Sequence, residues 1–409
     1  MIELEDGIEY LAYARSIIDG KWDDHPRIYD LVRAPLYPLF LVPFEALTPQ
    51  GGRDLTPSAK HHLDPPVRVS RAMFRAIQAV QVALSLATAG LVGLIARRLS
   101  GPAGQVWATG FMALNPFLAT FAGWVMTETL FIFLVWAALH QLQAFAAETG
   151  RRRSWRLIGA GVVLALGCLC RPTLQALLPF VALWAGWRVW RTEGWRPAVS
   201  RMAMLTVVVS SLLVPFQYRN WRHHGEFNLS PGYATAVACM ANSEEYYRTL
   251  TAGSQDEYQT HLSVLIKGYH KSSGLKGDDW RRDARRFRQE HPGEFWHLQM
   301  LKVLIYWRPW LNPKAFSPAM VAVSAAVMVP LFVFGAAAVA SPLRRHPFCK
   351  LLLLVIAVGF ITGGLFFMTS VRFRVPFVDV SLMVLSAAWL GRRPWLGGQE
   401  AASDDPAPA

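Results

Sequence analysis

The sequence predicts an all-α polytopic membrane protein, and three observations carry that reading. Of the 409 residues 53% are hydrophobic, and the mean hydropathy is +0.25. Several apolar runs approach the roughly 20 residues that cross a bilayer. Clusters of arginine follow every second run, as the positive-inside bias of cytoplasmic loops requires. A membrane β-barrel would instead alternate in segments of about 10 residues, and a chain with 16 Trp is too apolar and aromatic to be disordered. The formal charge of +13 follows from the same loop bias. Without a binding motif or a soluble domain it does not point to nucleic acid.

The first segment, residues 1–73, is polar and is expected on the external side. Residues 6–19 fit a short amphipathic helix with Tyr10, Ala14, Ile17 and Ile18 on one face, Asp6 one turn ahead of Tyr10, and Gly20 as its stop. Residues 35–48 are apolar but short and hold Pro35, Pro38 and Pro43. That composition suits a re-entrant or interfacial segment better than a full crossing. Residues 49–69 form a polar loop, and its His61 and His62 lack a second ligand cluster, so a solvated loop is the simpler reading.

Nine spans follow at about 74–96, 104–121, 124–143, 157–170, 173–190, 202–217, 315–340, 350–369 and 375–391. Arg97 and Arg98, then Arg151, Arg152, Arg153 and Arg156, then Arg188, Arg191, Arg196 and Arg201, then Arg344, Arg345 and Lys350, then Arg392 and Arg393 mark the cytoplasmic side. The chain divides into an external loop with juxtamembrane helices (1–73), transmembrane helices (74–217), an external loop with amphipathic helices (218–313), further transmembrane helices (314–396) and a polar tail (397–409). An external N-terminal segment with no preceding span predicts a helix upstream of Met1. Within 218–313, the basic run 278–290 leads into a Trp-rich amphipathic stretch that suits a membrane interface. Cys168, Cys170, Cys239 and Cys349 form no disulfide framework. Cys168 and Cys170 read as small buried hydrophobes.

The polar candidates collect on the external side: Asp6, Glu9, Asp23, Asp24, Asp30 and Arg33 from the first segment, Glu128 at one helix start, Arg171 ahead of Pro172, Tyr218, Arg219 and Asn220 at a helix exit, and Arg372 and Arg374 at the start of the last span. Each alone has a cheap explanation at a helix end, as an acid favoured by the helix dipole or a snorkelling arginine. His223 and His224 read as solvated. The grouping of carboxylates with arginines, opposite the positive-inside face, is what suggests chemistry. A carboxylate can take a proton from an acceptor hydroxyl, and guanidinium groups can grip a phosphate as charge develops on it.

These residues fall into a familiar order. The D-x-x-x-Y of residues 6–10, the ARSIIDG of residues 14–20 and the R-x-P-L-Y-P of residues 33–38 resemble the first external loop of the GT-C glycosyltransferases. The nearest group is family 39-like, typified by protein O-mannosyltransferases and the aminoarabinose transferase of lipid A. NPFLATFAGWVMTETLF (115–131), CRP (170–172), YRNW (218–221) with Gly232, HPGEFWHLQMLKVLIYW (291–307) and VRFRVPFV (371–378) resemble later motifs of that family in the same sequence. The resemblance covers most of the chain. It implies a GT-C bundle and an inverting transferase in a bacterial inner membrane with a periplasmic site. The transferase would move a sugar from a polyprenyl-phosphate donor to a lipid, glycan or protein acceptor. It places the general base on Asp6 and a second acid on Glu128, with Arg171, Arg372 and Arg374 at the donor phosphate. Arg33 and Tyr37 would shape the pocket floor, joined by Glu9, Tyr10, Arg219 and Asn220. The first loop departs from the usual D-E order, reading Glu5-Asp6, so that Glu5 or Glu9 can share the role of base. The family's first transmembrane helix and soluble C-terminal domain are also missing from the pattern. No metal-ligand spacing is present, so no cofactor is expected and a divalent metal is not predicted. The rival readings are a membrane transporter or lipid flippase, which expects broken or charged mid-membrane helices, and an O-antigen ligase or polymerase using a diphosphate-linked glycan.

Overall fold

The computed structural model describes residues 5–20, 33–45, 47, 70–231, 233–251, 277–314, 316–367 and 369–393, and of residues 5, 6, 8, 233–236 and 277–280 only the backbone. Every regular element among them is helical. Seven helices are long and apolar enough to cross a membrane. They are α3 (Arg71–Leu114), α5 (Glu128–Ala147), α6 (Gly150–Cys170), α8 (Trp195–His224), α13 (Pro318–Ala340), α14 (Pro347–Phe366) and α15 (Val371–Leu390).

Two of the nine expected spans, 104–121 and 173–190, are not separate helices among these seven. Helix α3 is a hairpin rather than a rod. Gly101 takes φ +74 next to Ser100 at φ −152, and Pro102 follows, so the chain doubles back where a Cβ would be strained. The two arms touch: Arg97 Nη1 donates to Gln105 Oε1 at 3.5 Å, and a Cβ added to Gly93 would meet Thr109 Oγ1 at 2.6 Å. The second arm ends at Asn115, whose Oδ1 accepts from Phe117 N and Leu118 N, both at 3.0 Å, and starts α4 (Pro116–Gly123). The expected span 104–121 is therefore two helices joined at a cap. Helix α7 (Leu178–Glu193) has 16 residues and is entered through a 3-10 turn at Pro172–Leu177.

Several boundaries differ from the sequence reading for one reason. Hydropathy ends where arginines begin, but a backbone hydrogen-bond ladder continues through them. Arg151, Arg152 and Arg153 lie in the first turns of α6, not in a loop, and α8 runs on to His224, so the segment expected to start at 218 begins inside a helix.

The remaining helices are α1 (Glu5–Ile18), α2 (Leu36–Glu45), α9 (Tyr233–Met240), α10 (Glu244–Thr251), α11 (Gly277–Glu290) and α12 (Pro292–Trp307). Gly20 closes α1 with φ +69. Helices α9 to α12 share a satellite core of Val237, Met240, Ala241, Tyr246, Phe287 and Leu298. The arginines of α11 stay outside while Phe287 turns in.

Two glycines decide how α14 meets α15. A Cβ on Gly359 would lie 2.5 Å from Phe377 Cβ, and one on Gly363 would lie 2.9 Å from Phe373 Cβ. Gly359 and Gly363 form a G-x-x-x-G stripe against Phe373 and Phe377, the close small-residue packing that joins helices in a bilayer. Both helices carry π-helical turns here, at Ile361–Phe366 and Val375–Asp379, a distortion frequent beside functional sites.

Candidate active site

Glu128 opens α5, and its side chain has no exposed surface. Two arginines from other helices converge on its Oε1. Arg372, in the first turn of α15, donates to it through Nε, and Arg171, the C-cap of α6, places Nη1 at 3.3 Å. Glu128 Oε2 is buried and makes no hydrogen bond among the described residues. The arginines keep 18% and 12% of their side chains exposed. Arg171 also lies over the Phe131 and Phe373 rings at 5.5 and 5.3 Å. A pocket lined by Arg171, Thr173, Thr362, Phe131, Phe367 and Phe373 opens beside it.

Helices α1 and α2 are tied to the turn that leads into Glu128. Gly7 is buried, and a Cβ there would lie 2.9 Å from the Val125 carbonyl. That contact sets the backbone of Asp6 beside residues 124–127; the Asp6 side chain lies outside the described residues. The Tyr37 hydroxyl donates to Gln81 Oε1 at 2.9 Å, and Gln81 Nε2 donates to the carbonyls of Ala122 (3.2 Å) and Trp124 (2.7 Å). Burial first, and then the Glu128 charge, hold the Tyr37 phenol well above its ordinary value, so Tyr37 serves as a donor. Tyr10 meets Tyr37 edge-on at 5.0 Å. Glu9 Oε2 accepts from Arg33 Nε at 2.5 Å, and the Arg33 guanidinium lies 5.6 Å from the Tyr10 ring centre.

Arg374 is placed differently from its neighbour Arg372. It is fully buried, bidentate to Asp379, and donates through Nη1 to the carbonyls of Tyr306 (2.8 Å) and Arg308 (2.5 Å). Asn220 is buried and donates to the Asn228 carbonyl at 2.8 Å, holding the turn after α8, while Arg219 Nη1 lies 3.4 Å from Asn220 Oδ1. Asp23, Asp24, Asp30, His61 and His62 lie outside the described residues.

Residues 67–218, less than half of the chain, match the family of dolichyl-phosphate-mannose-protein mannosyltransferases. No curated protein matches the sequence. Among solved structures, the Archaeoglobus fulgidus oligosaccharyltransferase AglB in complex with an inhibitory peptide and a dolichol-phosphate superposes with a TM-score of 0.51 at 12% identity. The match covers 94% of this chain and 46% of that one. The fold is that of the GT-C membrane glycosyltransferases. An Archaeoglobus fulgidus oligosaccharyltransferase complexed with Zn and sulfate gives 0.52 at 13% identity, over 94% of this chain and 44% of that one. ArnT from Cupriavidus metallidurans, bound to undecaprenyl phosphate, gives 0.41 at 13%, over 96% and 74%. The chain thus spans less than half the length of the two oligosaccharyltransferases.

Within this GT-C fold, no group of three His, Cys, Asp or Glu side chains that could hold a metal ion occurs among the described residues. Three residues of the site's frame escaped the sequence reading. Gln81 and Asp379 are polar groups inside otherwise apolar spans, and an intramembrane ionisable or polar residue is by itself a reason to look. Lys302 carried no such signal, because lysine is ordinary in an amphipathic helix.

Proposed function

We propose that this protein is an inverting glycosyltransferase that moves a sugar from a polyprenyl-phosphate donor to an acceptor hydroxyl on a lipid, glycan or protein. Its site would open on the periplasmic side of a bacterial inner membrane. The observation that carries the reading is the convergence of Arg171 and Arg372, both partly exposed, on the single buried carboxylate of Glu128. Guanidinium groups placed this way can grip a phosphate monoester through paired N–H donors. AglB, which shares the fold, was solved with a dolichol-phosphate.

Asp6 takes the proton of the acceptor hydroxyl. The acceptor oxygen attacks the anomeric carbon from the face opposite the phosphate. The bond from that carbon to the phosphate oxygen breaks, its electrons stay on the phosphate, and configuration inverts. The departing polyprenyl phosphate is held by Arg171 and Arg372, which Glu128 keeps in register. Arg374 serves the same side by fixing the helix turn that presents Arg372. Tyr37, Tyr10, Glu9 and Arg33 frame the wall that faces the sugar and the acceptor, and Arg219 and Asn220 stand where the acceptor-side loop begins.

The test is transfer from a radiolabelled polyprenyl-phosphate sugar pool by membranes that contain the protein. Wild type should label an acceptor, and Asp6→Asn should not. Glu128→Gln should reduce transfer by about 10²- to 10³-fold, the scale of losing one organised charge-stabilising element. Full activity of Asp6→Asn would remove it as the base, and activity only with a polyprenyl-diphosphate glycan would favour the ligase chemistry instead.

A further inference from the structure

We propose that Lys302 is a positioning residue of this site: it clamps the turn between α14 and α15, and through it sets Arg372 on Glu128. The inference rests on reading Arg372 as a donor-phosphate residue.

Lys302 lies on α12 and is fully buried. Its Nζ donates to three oxygens from two separate segments: the Leu365 carbonyl, the Ala241 carbonyl (3.4 Å) and Asn242 Oδ1 (3.3 Å). The backbone carbonyl of Lys302 accepts from Thr369 Oγ1 at 3.3 Å. One residue therefore grips the inter-helix turn at 365 and again at 369. Asn242 reinforces the grip. Its Nδ2 donates to the Phe366 carbonyl at 3.3 Å, and its Oδ1 accepts from Gln299 Nε2 at 2.9 Å. Arg372 follows three residues after Thr369, and Ser370 Oγ accepts from its backbone N at 3.3 Å. On the far side of Arg372, the carbonyls of Tyr306 and Arg308 accept from Arg374. Helix α12 thus holds the Arg372 turn on both flanks, with Lys302 as the flank nearer α14.

Stability alone does not call for a lysine here. A buried ammonium whose acceptors are carbonyl-type oxygens is an expensive group, and an apolar side chain of similar length would fill the same space. Three oxygens arriving from two segments do call for a three-pronged donor on a long stem. The arrangement also joins helices α9, α10 and α12 to the arginine turn, so that the acceptor side and the donor side share one fastening.

The experiment compares wild type, Lys302→Met and Thr369→Val as full chains in nanodiscs, by local hydrogen exchange and by transfer kinetics. In Lys302→Met the amides of 365–372 should exchange at least tenfold faster, while those of α5 and α6 are unchanged. KM for the polyprenyl-phosphate sugar should rise about tenfold, with a smaller change in kcat. Thr369→Val, which removes one contact and no charge, should loosen the same amides to a lesser degree and carries the test if Lys302→Met does not fold. Unchanged exchange at 365–372 in both variants overturns the inference. Faster exchange there, in a protein whose wild type transfers nothing from any polyprenyl-phosphate sugar, supports the clamp and overturns the transferase reading.

Discussion

Arg374 and Asp379 form a bidentate pair inside the last span, with Nε to Oδ1 at 2.7 Å and Nη2 to Oδ2 at 3.2 Å, and neither side chain is exposed. The two residues stand five apart on α15, across its π-helical turn at Val375–Asp379. Removing one partner of such a pair strands a buried charge and destabilises by about 3–5 kcal/mol, whereas replacing both by apolar groups is often neutral. Asp379→Ala should therefore lower the thermal midpoint in detergent steeply. Arg374→Met combined with Asp379→Leu should restore most of it, yet transfer should stay low because the Tyr306 and Arg308 carbonyls no longer hold the Arg372 turn. A stable Asp379→Ala protein would contradict this account.

Gly359 sets the approach of α14 to α15. Adding a side chain there drives a Cβ to 2.5 Å from Phe377 Cβ. Gly359→Val should destabilise by roughly 1–3 kcal/mol, as overpacking does. Phe377→Ala in the same chain should recover part of that loss. Unfolding of the single and double variants in one detergent gives the coupling directly, and additive effects would show that the contact is unimportant.

Gln81 ties Tyr37 to the carbonyls of Ala122 and Trp124, just ahead of Glu128. Gln81→Leu leaves a buried hydroxyl and two carbonyls without their partner, which amounts to about 1–3 kcal/mol for each group left unsatisfied. We expect a less stable protein whose transfer falls further than its stability, since the turn that delivers Glu128 is no longer held. Gln81→Glu, which keeps an acceptor for Tyr37 but loses both donors, should fall between the two.

Burial pushes the Lys302 ammonium down to about 7. The unfolded chain keeps its lysine near 10.4. Between those values the unfolded state binds more protons than the folded one, so stability rises with pH from about 7 towards 10.4 and levels off below 7. Thermal unfolding at pH 7 and pH 9 should show wild type gaining stability on this account, with the gain absent in Lys302→Met. Equal pH slopes in the two proteins would show that burial does not depress the Lys302 ammonium.

Much of this molecule was readable before any coordinates. Apolar run length marked the helices long enough to cross a bilayer, because the bilayer forces that length. Glu128, Arg171 and Arg372 were recognisable as charged residues at helix ends, and the structure brings those three together. The sequence alone therefore determined the all-helical membrane class and three of the residues that meet at the site.

The tertiary structure decided what each of those groups does. Arg372 and Arg374 are two residues apart and look alike in the sequence. They point to different partners because the π-helical turn and the Gly359–Phe377 contact fix the rotation of α15, sending one to Glu128 and the other to Asp379. The folding back of α3 at Gly101 and its break at Asn115, the burial of Lys302 and the role of Gln81 were likewise settled only by packing. Hydropathy depends on composition along the chain, whereas hydrogen-bond partners come from segments up to 293 residues apart, and only the folded bundle brings those segments within reach.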